Sequence, residues 1–195
     1  MNKSLKIMII EDNALEAMGL NICLQELEHE VIKMAYSGAE AIDFIKENAP
    51  DFILSDINLG QDDGVEVMRR ILEIRDVPFV FITGYSDERT VERAAQLRPY
   101  GYLVKPVDVN DVRSALPVAL EAYHERMHLK QELEDSRRKL SERKLIERAK
   151  GILMDSFDLS EADAMAFLQK KSRKTNRKLV DIAQSIIKSK EITGL

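Results

Sequence analysis

Four short apolar runs in this chain each end at a side chain that could take part in chemistry. The residues at these ends are Glu11 and Asp12, Asp56, Thr83, and Lys105. Two unit charges about 4 Å apart repel by on the order of 4 kcal/mol at an effective dielectric near 20, so three acids at one site need a counter-charge. A hard divalent cation supplies it, and Mg²⁺ prefers a few carboxylates together with waters and phosphoryl oxygens. Brought together, these residues predict a magnesium site that accepts phosphate.

Asp56 is the member of this set that could react directly. An aspartate can act as a nucleophile and form an acyl phosphate. Lys105 would then counter the charge of the incoming phosphoryl group, and the Thr83 hydroxyl could hydrogen-bond one of its oxygens. Singly, each residue has an ordinary explanation as a loop acid, a strand-end threonine or a surface lysine. Their arrival from four separate runs favours one shared site.

The elements that would position these residues are strands alternating with helices. The predicted strands span residues 6–10, 31–35, 52–54, 79–82 and 100–104. The predicted helices span 14–28, 37–48, 65–74 and 86–97, with a fifth from Asn110; Ser37 with Glu40 forms a capping box, and Ser86 is a cap. This alternation predicts a doubly wound α/β domain with a five-stranded parallel sheet. In such sheets functional side chains collect outside the carboxyl ends of the strands, near the topological switch point.

The first predicted helix carries Leu15, Met18, Ile22 and Leu27 near the 3.6-residue spacing of an amphipathic helix. These four residues are the predicted apolar face of that helix.

Charge is distributed unevenly along the chain. The net charge is −5, yet residues 141–195 hold 12 Lys and Arg against 8 Asp and Glu, so the first 140 residues are acidic and the tail is basic. An anionic partner would therefore bind the tail. No run approaches twenty apolar residues, no signal peptide is visible, and the single Cys23 cannot form an internal disulfide. We expect a cytoplasmic protein without a membrane span.

After Asn110 the helical pattern continues almost without interruption. Its apolar positions, at spacings of threes and fours, are Val112, Leu116, Ala119, Tyr123, Met127, Leu133 and Leu140. Pro117 is unfavourable inside a helix because it removes a backbone hydrogen bond and kinks the helix. Lys130 and Arg137 are charged residues at positions that would face a partner helix. The pattern predicts a long linker helix that pairs with a second copy as a coiled coil; a solvated single helix is the alternative.

The last fifty residues predict a small three-helix bundle. Its stripes begin at Leu145, at a helix capped by Ser160, and at Leu179. Phe157 and Phe167 are the only aromatic residues of this segment, and we expect both in its core. Six cations crowd the end of one helix, the loop and the next helix start: Lys170, Lys171, Arg173, Lys174, Arg177 and Lys178. Such a cluster binds phosphates, either of RNA or, in a helix-turn-helix, of DNA.

The strand-end residues resemble a known family. Glu11-Asp12, Asp56 with Asn58 and Gly64, Thr83-Gly84, and the run Tyr102-Leu103-Val104-Lys105-Pro106 resemble the phosphoacceptor receiver domain of two-component response regulators, over residues 4–120. In two places the chain departs from the family pattern. Glu11 stands where aspartate is common, and Gly60 replaces a frequent proline.

The resemblance implies a flavodoxin-like receiver and a set of site roles. Glu11, Asp12, Asp56 and the backbone carbonyl of Asn58 would bind Mg²⁺, and Asp56 would take a phosphoryl group from a sensor histidine kinase. Thr83 and Tyr102 would be a switch pair, with Thr83 and Lys105 assisting phosphotransfer. The Lys105–Pro106 bond would be cis. We expect no enzyme acting on an external substrate, only catalysis of the receiver's own phosphotransfer and dephosphorylation.

The basic tail resembles a second family. The run 146–154 (Ile-Glu-Arg-Ala-Lys-Gly-Ile-Leu-Met), Ser160-Glu161 with Ala164, and Leu179 with Ile182-Ala183 resemble the ANTAR output domain of RNA-binding antitermination regulators, over residues 135–190. Met165 replaces a typical phenylalanine, and Asp158 stands where glycine often ends the first helix; aspartate tolerates the left-handed backbone. The resemblance implies dimers that bind hairpins of a leader mRNA, with Arg148 and Lys150 joining the six tail cations as candidate contacts.

A third pattern points to different chemistry. His124-Glu125-Arg126-Met127-His128 matches H-E-x-x-H, the zinc metalloprotease helix. Catalytic zinc needs a third protein ligand in a cleft, and the candidate acids Glu142 and Glu147 lie further along the same helix. A zinc hydrolase is therefore a minor alternative to exposed residues of a linker helix.

The sequence thus predicts a receiver domain over 1–120, a linker or coiled-coil helix over 121–140 and an ANTAR-like three-helix domain over 141–195. We expect a homodimer, with dimerisation favoured by phosphorylation of Asp56. A receiver that controls a DNA-binding helical output is the main alternative.

Overall fold

The computed structural model describes residues 4–84 and 88–193, so the predicted cap Ser86 lies outside the described residues. The chain divides into two compact units, Met1–Arg126 and Met127–Leu195. None of the described helices is both long and apolar enough to cross a membrane.

The first unit is the predicted α/β domain. Its elements are β1 (Lys6–Ile10), α1 (Ala14–Glu26), β2 (Glu30–Ala35), α2 (Gly38–Glu47), β3 (Phe52–Asp56), β4 (Asn58–Leu59), β5 (Asp62–Asp63), α3 (Gly64–Ile74), β6 (Phe79–Thr83), α4 (Glu88–Gln96), β7 (Tyr102–Val104) and the start of α5 (Val109–Phe157). Five strands form one parallel sheet in the order β2-β1-β3-β6-β7, which confirms the predicted fold class. The chain reverses direction across the sheet between β1 and β3, so the switch point lies there.

Helices cover both faces of this sheet. Alternate strand residues such as Met8, Ile53 and Phe81 pack against α2, α3 and α4, while Ile9 and Leu54 belong to the core shared with α1 and the start of α5. Burial on both faces explains why the strands read as unbroken apolar runs.

Helix α1 buries a different face from the one predicted. The prediction of a core face is wrong for Leu15, Met18 and Ile22, which are all more than half exposed, whereas Leu27 is partly buried against the sheet core. Ala17, Leu20 and Leu24 contact the sheet instead. The helix carries two apolar stripes at nearly the same spacing, so periodicity alone did not distinguish them. The buried stripe is the one that contains the small residue Ala17.

Helix α5 is continuous for 49 residues and runs through Pro117. Val112, Leu116 and Ala119 are buried against the sheet of their own chain, so this part of the predicted stripe is not a seam for a partner helix. Leu133 and Leu140, further along, are exposed.

A cluster of four residues, which we call the Arg126 clasp, joins α5 to the rest of the first unit. The Arg126 guanidinium pairs with the Asp76 carboxylate at 2.9 Å and lies 5.2 Å from the centroid of the Tyr100 ring. The Tyr123 ring meets Tyr100 edge to face, with centroids 5.7 Å apart. Hydrogen bonding, cation–π and aromatic contacts therefore extend the attachment of α5 beyond its buried apolar residues.

The second unit is the predicted three-helix bundle. The end of α5 packs with α6 (Glu161–Thr175) and α7 (Leu179–Thr193). The core residues are Ala149, Leu153, Ala164, Leu168, Ile182, Ala183 and Ile187. Ser160 caps α6 as predicted, by accepting a hydrogen bond from the Asp163 N–H.

The backbone conformation of Asp158 and the exposure of two phenylalanines characterise the surface of this bundle. Asp158 has a φ of 52°, which confirms that it takes the left-handed conformation after α5. Phe157 and Phe167 are 68% and 45% exposed, so the prediction that both lie in the core is wrong. The small bundle core is filled by aliphatic side chains and alanines, leaving both rings outside it.

Candidate functional site

Strand register brings the predicted site residues to one edge of the sheet. Ile10 at the end of β1 pairs with Ser55 of β3, so the next residues along the chain, Glu11 and Asp56, lie side by side. Asp56 in turn pairs with Ile82, and Thr83 pairs with Val104, which places Thr83 and Lys105 at the same edge. The apolar runs thus end together because they are parallel strands in register.

Three carboxylates meet at the switch point. One ligand oxygen each from Glu11, Asp12 and Asp56 lies within 4.8 Å of the others. Glu11 and Asp56 are buried, with 1% and 4% of their surface exposed, whereas Asp12 is exposed. Burial raises the pKa of Glu11; the Lys105 hydrogen bond acts to lower it, and the nearby Asp56 charge to raise it further. An all-oxygen donor set of this kind fits a hard divalent cation such as Mg²⁺.

Lys105 is bound directly to this acidic cluster. Its Nζ donates to Asp56 Oδ2 at 2.6 Å and to Glu11 Oε2 at 2.8 Å, and it also pairs with Glu16. Burial disfavours the charged ammonium, but the hydrogen bonds to Asp56, Glu11 and Glu16 outweigh burial and raise the pKa of Lys105. The lysine therefore stays charged throughout the physiological pH range.

Glu16 is a contact that was not predicted. It lies on α1, one turn after the Asn13 cap, and its position near Lys105 depends on how α1 packs on the sheet. An acid in the first turn of a helix is common for reasons of the helix dipole alone. Only the distance to Lys105 distinguishes it, and sequence spacing does not contain that distance.

The loop after Asp56 needs its two glycines. A Cβ on Gly64 would lie 2.2 Å from the Asp56 carbonyl oxygen and 2.6 Å from that of Ile57. Gly60 has a φ of +56°, and a Cβ there would lie 2.8 Å from Asp12 Oδ2. Proline requires a φ near −65°, so this loop conformation excludes the proline that Gly60 replaces. The departure noted in the sequence is thus matched to the shape of the loop.

Asn58 begins the short β4–β5 ribbon that follows β3. Its backbone N–H donates to Asp56 Oδ1 at 3.0 Å, and it pairs with Asp63 across the ribbon. Asp63 caps α3, because its carboxylate accepts from the Val65 N–H at 3.0 Å. The loop that carries Asn58 is therefore fixed at both of its ends.

The two predicted switch residues differ in burial. The Thr83 hydroxyl is buried and donates to the Gly84 carbonyl at 3.2 Å. Tyr102 is 39% exposed, and its ring stacks on Phe81 with centroids 6.2 Å apart. Partial burial raises the pKa of the Tyr102 hydroxyl. The Lys105–Pro106 peptide bond is cis, as predicted.

The tail cations form an exposed surface with one exception. Arg148 and the six residues between 170 and 178, Lys170, Lys171, Arg173, Lys174, Arg177 and Lys178, are all exposed. Lys150 is only 8% exposed, and its Nζ pairs with Glu161 at 2.7 Å and with Glu147 at 2.9 Å. Hydrogen bonds to Glu161 and Glu147 raise its pKa. Lys150 joins α5 to the start of α6, which argues against its predicted contact with RNA.

His124 and His128 of the H-E-x-x-H motif do not belong to a group of potential metal ligands among the described residues. In the part of the chain that the structure describes, the only group of three or more potential ligand residues close enough to share an ion is Glu11, Asp12 and Asp56. His128 pairs with Glu132 along the same helix, and Arg126 of the motif belongs to the Arg126 clasp. The geometry gives the zinc hydrolase alternative no support.

Comparison with known proteins follows the division into two units. The sequence matches the models of the response regulator receiver domain over residues 7–117 and of the ANTAR domain over residues 134–187. It is 30% identical over 184 residues to the transcriptional regulatory protein PdtaR of Mycobacterium tuberculosis, covering 94% of this chain and 90% of that protein. It is 34% identical over 106 residues to the polar-differentiation response regulator DivK of Brucella ovis, covering 53% of this chain and 85% of DivK.

Solved structures resemble the first unit. The signal receiver domain of a modulated diguanylate cyclase from Desulfovibrio desulfuricans has a TM-score of 0.58 and 34% identity, covering 62% of this chain and 96% of that one. The N-terminal domain of a response regulator/sensory box/GGDEF protein from Carboxydothermus hydrogenoformans has a TM-score of 0.58 and 30% identity, covering 63% and 99%.

Proposed function

Because the chain belongs to the response regulators that join a receiver domain to an ANTAR domain, we propose that it is a cytoplasmic regulator phosphorylated on Asp56 that binds RNA and prevents transcription termination. The observation that carries the first half is the Lys105 ammonium, which is bound to Asp56 and Glu11, two of the three converging acids. The exposed cations of the second unit carry the other half.

Phosphotransfer would use groups already in place. An Asp56 carboxylate oxygen attacks the phosphorus of a phosphohistidine on a sensor kinase; the new O–P bond forms as the N–P bond breaks, and the histidine nitrogen leaves with the bonding electron pair. Lys105 neutralises charge on the transferred group. Glu11, Asp12, Asp56 and the Asn58 carbonyl would hold Mg²⁺, which supplies further neutralisation of the acids and the phosphoryl oxygens.

The product would act as a signal and not as a step in turnover. The acyl phosphate lasts until the receiver catalyses its own dephosphorylation, in which water breaks the acyl phosphate, phosphate leaves and the Asp56 carboxylate is restored. Thr83 and Tyr102 would change orientation when Asp56 is phosphorylated, and this would change the surface near β6 and β7. Thr83 is buried and Tyr102 is partly exposed, so the two side chains start from different environments.

RNA binding would involve the tail cations. Each cation that neutralises a phosphate releases a counterion, so affinity falls as salt rises. The target class is a hairpin in a leader transcript, whose occupation would prevent a terminator from forming. The relative PdtaR is named a transcriptional regulatory protein, which supports an output in transcription.

Dimerisation would be mediated by the exposed part of α5. Leu129, Leu133 and Leu140 are each more than half exposed and are separated by four and seven residues, as in a heptad seam. A second copy is the partner with the same spacing. Pairing would bring two basic surfaces to one transcript, and phosphorylation would favour it.

The phosphoacceptor assignment is tested by incubating the wild type and Asp56→Asn with a small acyl phosphate donor and Mg²⁺. We expect intact-mass measurement to show one added phosphoryl group on the wild type and none on Asp56→Asn. Equal labelling of the two proteins would refute the assignment.

The output is tested by comparing binding to hairpin RNA and duplex DNA of matched length across a salt series. We expect tighter binding to the hairpin at every salt concentration. A clear preference for duplex DNA would instead favour a DNA-binding output.

Dimerisation is tested by sedimentation of Leu133→Lys with and without the phosphodonor. We expect this variant to remain monomeric where the wild type dimerises. Val118→Lys is the matched control, because Val118 is an exposed apolar residue of α5 outside the leucine segment. An unchanged dimer in Leu133→Lys would rule out this seam.

A further inference from the structure

The second unit carries a groove that the contacts described so far do not use. Phe157 at the end of α5 and Phe167 on α6 line it, together with Ile152 and Ile186. Its volume is about 440 Å³, which is within the range of clefts that hold small ligands. The exposed parts of the two phenyl rings forgo the hydrophobic stabilisation that full burial would give them. The groove is therefore suited to bind a flat, apolar chemical group.

All charged side chains that line the groove, among the residues described, are cations. Lys171 and Arg177 are two of them, and the groove contains neither Asp nor Glu in that part of the chain. The Arg177 guanidinium donates to Ser185 Oγ at 3.1 Å and to the Asp181 carbonyl at 3.4 Å. These contacts fix the guanidinium along α7 by neutral oxygens and leave its charge uncompensated by them. An occupant with an apolar ring and adjacent negative charge would complement this lining.

We propose that the groove binds a single nucleobase turned out of an RNA loop, stacked on Phe157 or Phe167, with its flanking phosphates held by Lys171 and Arg177. The inference rests on the proposed RNA-binding function and names the part of the RNA that the second unit recognises. Single-stranded loops are read in this way because their unstacked bases can lie on aromatic rings. A base within an undistorted DNA duplex remains stacked and cannot enter, so the groove discriminates against the DNA alternative.

Exposure of the two rings makes base stacking available to the second unit. Core phenylalanines could not have stacked on a base, and the bundle core is complete without Phe157 and Phe167. Stacking tolerates every base, because each has a π face. Sequence preference would then come from the neighbouring positions of the loop.

The test is a double-mutant cycle that combines substitutions of the two phenylalanines with replacements of single loop nucleotides. The probe is a short RNA hairpin selected from a pool with randomised loops for retention by the full-length protein, with and without the phosphodonor. Each loop nucleotide is replaced in turn by an abasic one, and Kd is measured for the wild type, Phe157→Ala and Phe167→Ala. We expect one abasic position to weaken wild-type binding on the order of tenfold, and to weaken at least one of the variants by less than about twofold.

Matched variants separate stacking from folding and from apolar contact. Phe167→Leu retains apolar volume without the ring, and it should show the same loss of coupling as Phe167→Ala if Phe167 stacks the base. Met154→Ala removes an exposed apolar side chain of α5 that does not line the groove, and it should leave the abasic effect at its wild-type size. Thermal unfolding should be nearly unchanged in all four, because none of the three residues is in the buried core.

Each remaining outcome counts against a defined part of the proposal. If no hairpin is retained, RNA binding and the groove assignment both fail. If hairpins bind and every abasic replacement has the same effect in the wild type and the phenylalanine variants, RNA binding stands and the base site is refuted. If the phenylalanine variants instead change the oligomeric state and leave the RNA cycle unchanged, the groove is an interface between copies.

Discussion

At the edge of the sheet, Lys105 is bound by three carboxylates, and Glu11 and Asp56 are almost completely buried. On the second unit, the six cations between 170 and 178 are all exposed to solvent. The first arrangement holds opposite charges at fixed distances in a partly desolvated site. The second presents charges of one sign in water.

This difference corresponds to two kinds of chemistry. Phosphotransfer needs a few groups at defined positions, so each group at the sheet edge is constrained by register, by a cap or by a glycine. Attraction of a polyanion needs many cations that keep their hydration until contact, and their individual positions matter less. Substitutions at the edge should therefore have large and specific effects, and substitutions on the tail should have small and additive ones.

The largest expected contrast is between two glycines. Gly64→Ala places a Cβ against the carbonyls of Asp56 and Ile57 and should destabilise the first unit by roughly 3 kcal/mol or more. Gly151→Ala lies in a helix with nothing within 4 Å of the added Cβ and should stabilise the second unit by up to about 1 kcal/mol. Urea unfolding with a probe on each unit measures both. A Gly64→Ala protein as stable as the wild type would contradict the tight packing of the edge.

Removal of Lys105 should have the next largest effect. Lys105→Met leaves three acids without their counter-charge and should slow phosphorylation of Asp56 by about 100-fold. Mg²⁺ should raise the unfolding temperature of the variant more than that of the wild type, because the ion would then replace the positive charge that Lys105 supplied. Phosphorylation kinetics and melting curves with and without Mg²⁺ test both statements. A Lys105→Met protein that is phosphorylated as fast as the wild type would show that the lysine has no part in the transfer.

Two lysines of the second unit should behave differently. Lys174→Ala should weaken RNA binding a few-fold and reduce the slope of log Kd against log salt by about 1, with no change in stability. Lys150→Met should leave that slope unchanged and lower stability, because Lys150 is engaged by Glu147 and Glu161. Filter binding across salt, with melting curves, compares them. The opposite pattern would make Lys150 the phosphate contact.

The smallest effect expected is the acid sensitivity of the Glu161 pair. The hydrogen bond from Lys150 lowers the pKa of Glu161 below its ordinary value of 4.5. The stabilisation from the ionised pair is therefore present above pH 4.5 and is lost as the pH falls through the lowered pKa. Glu161→Gln should be less stable than the wild type at pH 6, and the difference should shrink in acid. A difference independent of pH would rule out the ion pair as its source.

Much of the first unit was predictable because parallel strands buried on both faces give continuous apolar runs. Those runs located the ends at which Glu11, Asp56, Thr83 and Lys105 lie, and pairing register then brought these residues together. The resemblance of the second unit rested on a local motif and on caps such as Ser160. These features depend on neighbours in sequence or on a single repeating spacing.

The face that a helix buries was less predictable. Helix α1 has apolar residues on two stripes, and only the sheet beneath it selects Ala17, Leu20 and Leu24 over Leu15, Met18 and Ile22. The same limit applies to Phe157 and Phe167, which were expected in a core that aliphatic side chains and alanines fill. Glu16 was missed for a related reason, because its contact with Lys105 joins residues far apart in sequence.

The Arg126 clasp indicates where the protein can be cut. A fragment that ends at residue 120 loses the Tyr123 ring and the Arg126 guanidinium, leaving Tyr100 and Asp76 without these contacts. A fragment that ends at residue 126 retains all four residues, and it coincides with the limit of the first compact unit. The additional six residues should make the longer fragment more resistant to proteolysis at the end of its last helix. Truncation after Arg126, and not at residue 120 just beyond the buried Ala119, should therefore release a stably folded receiver.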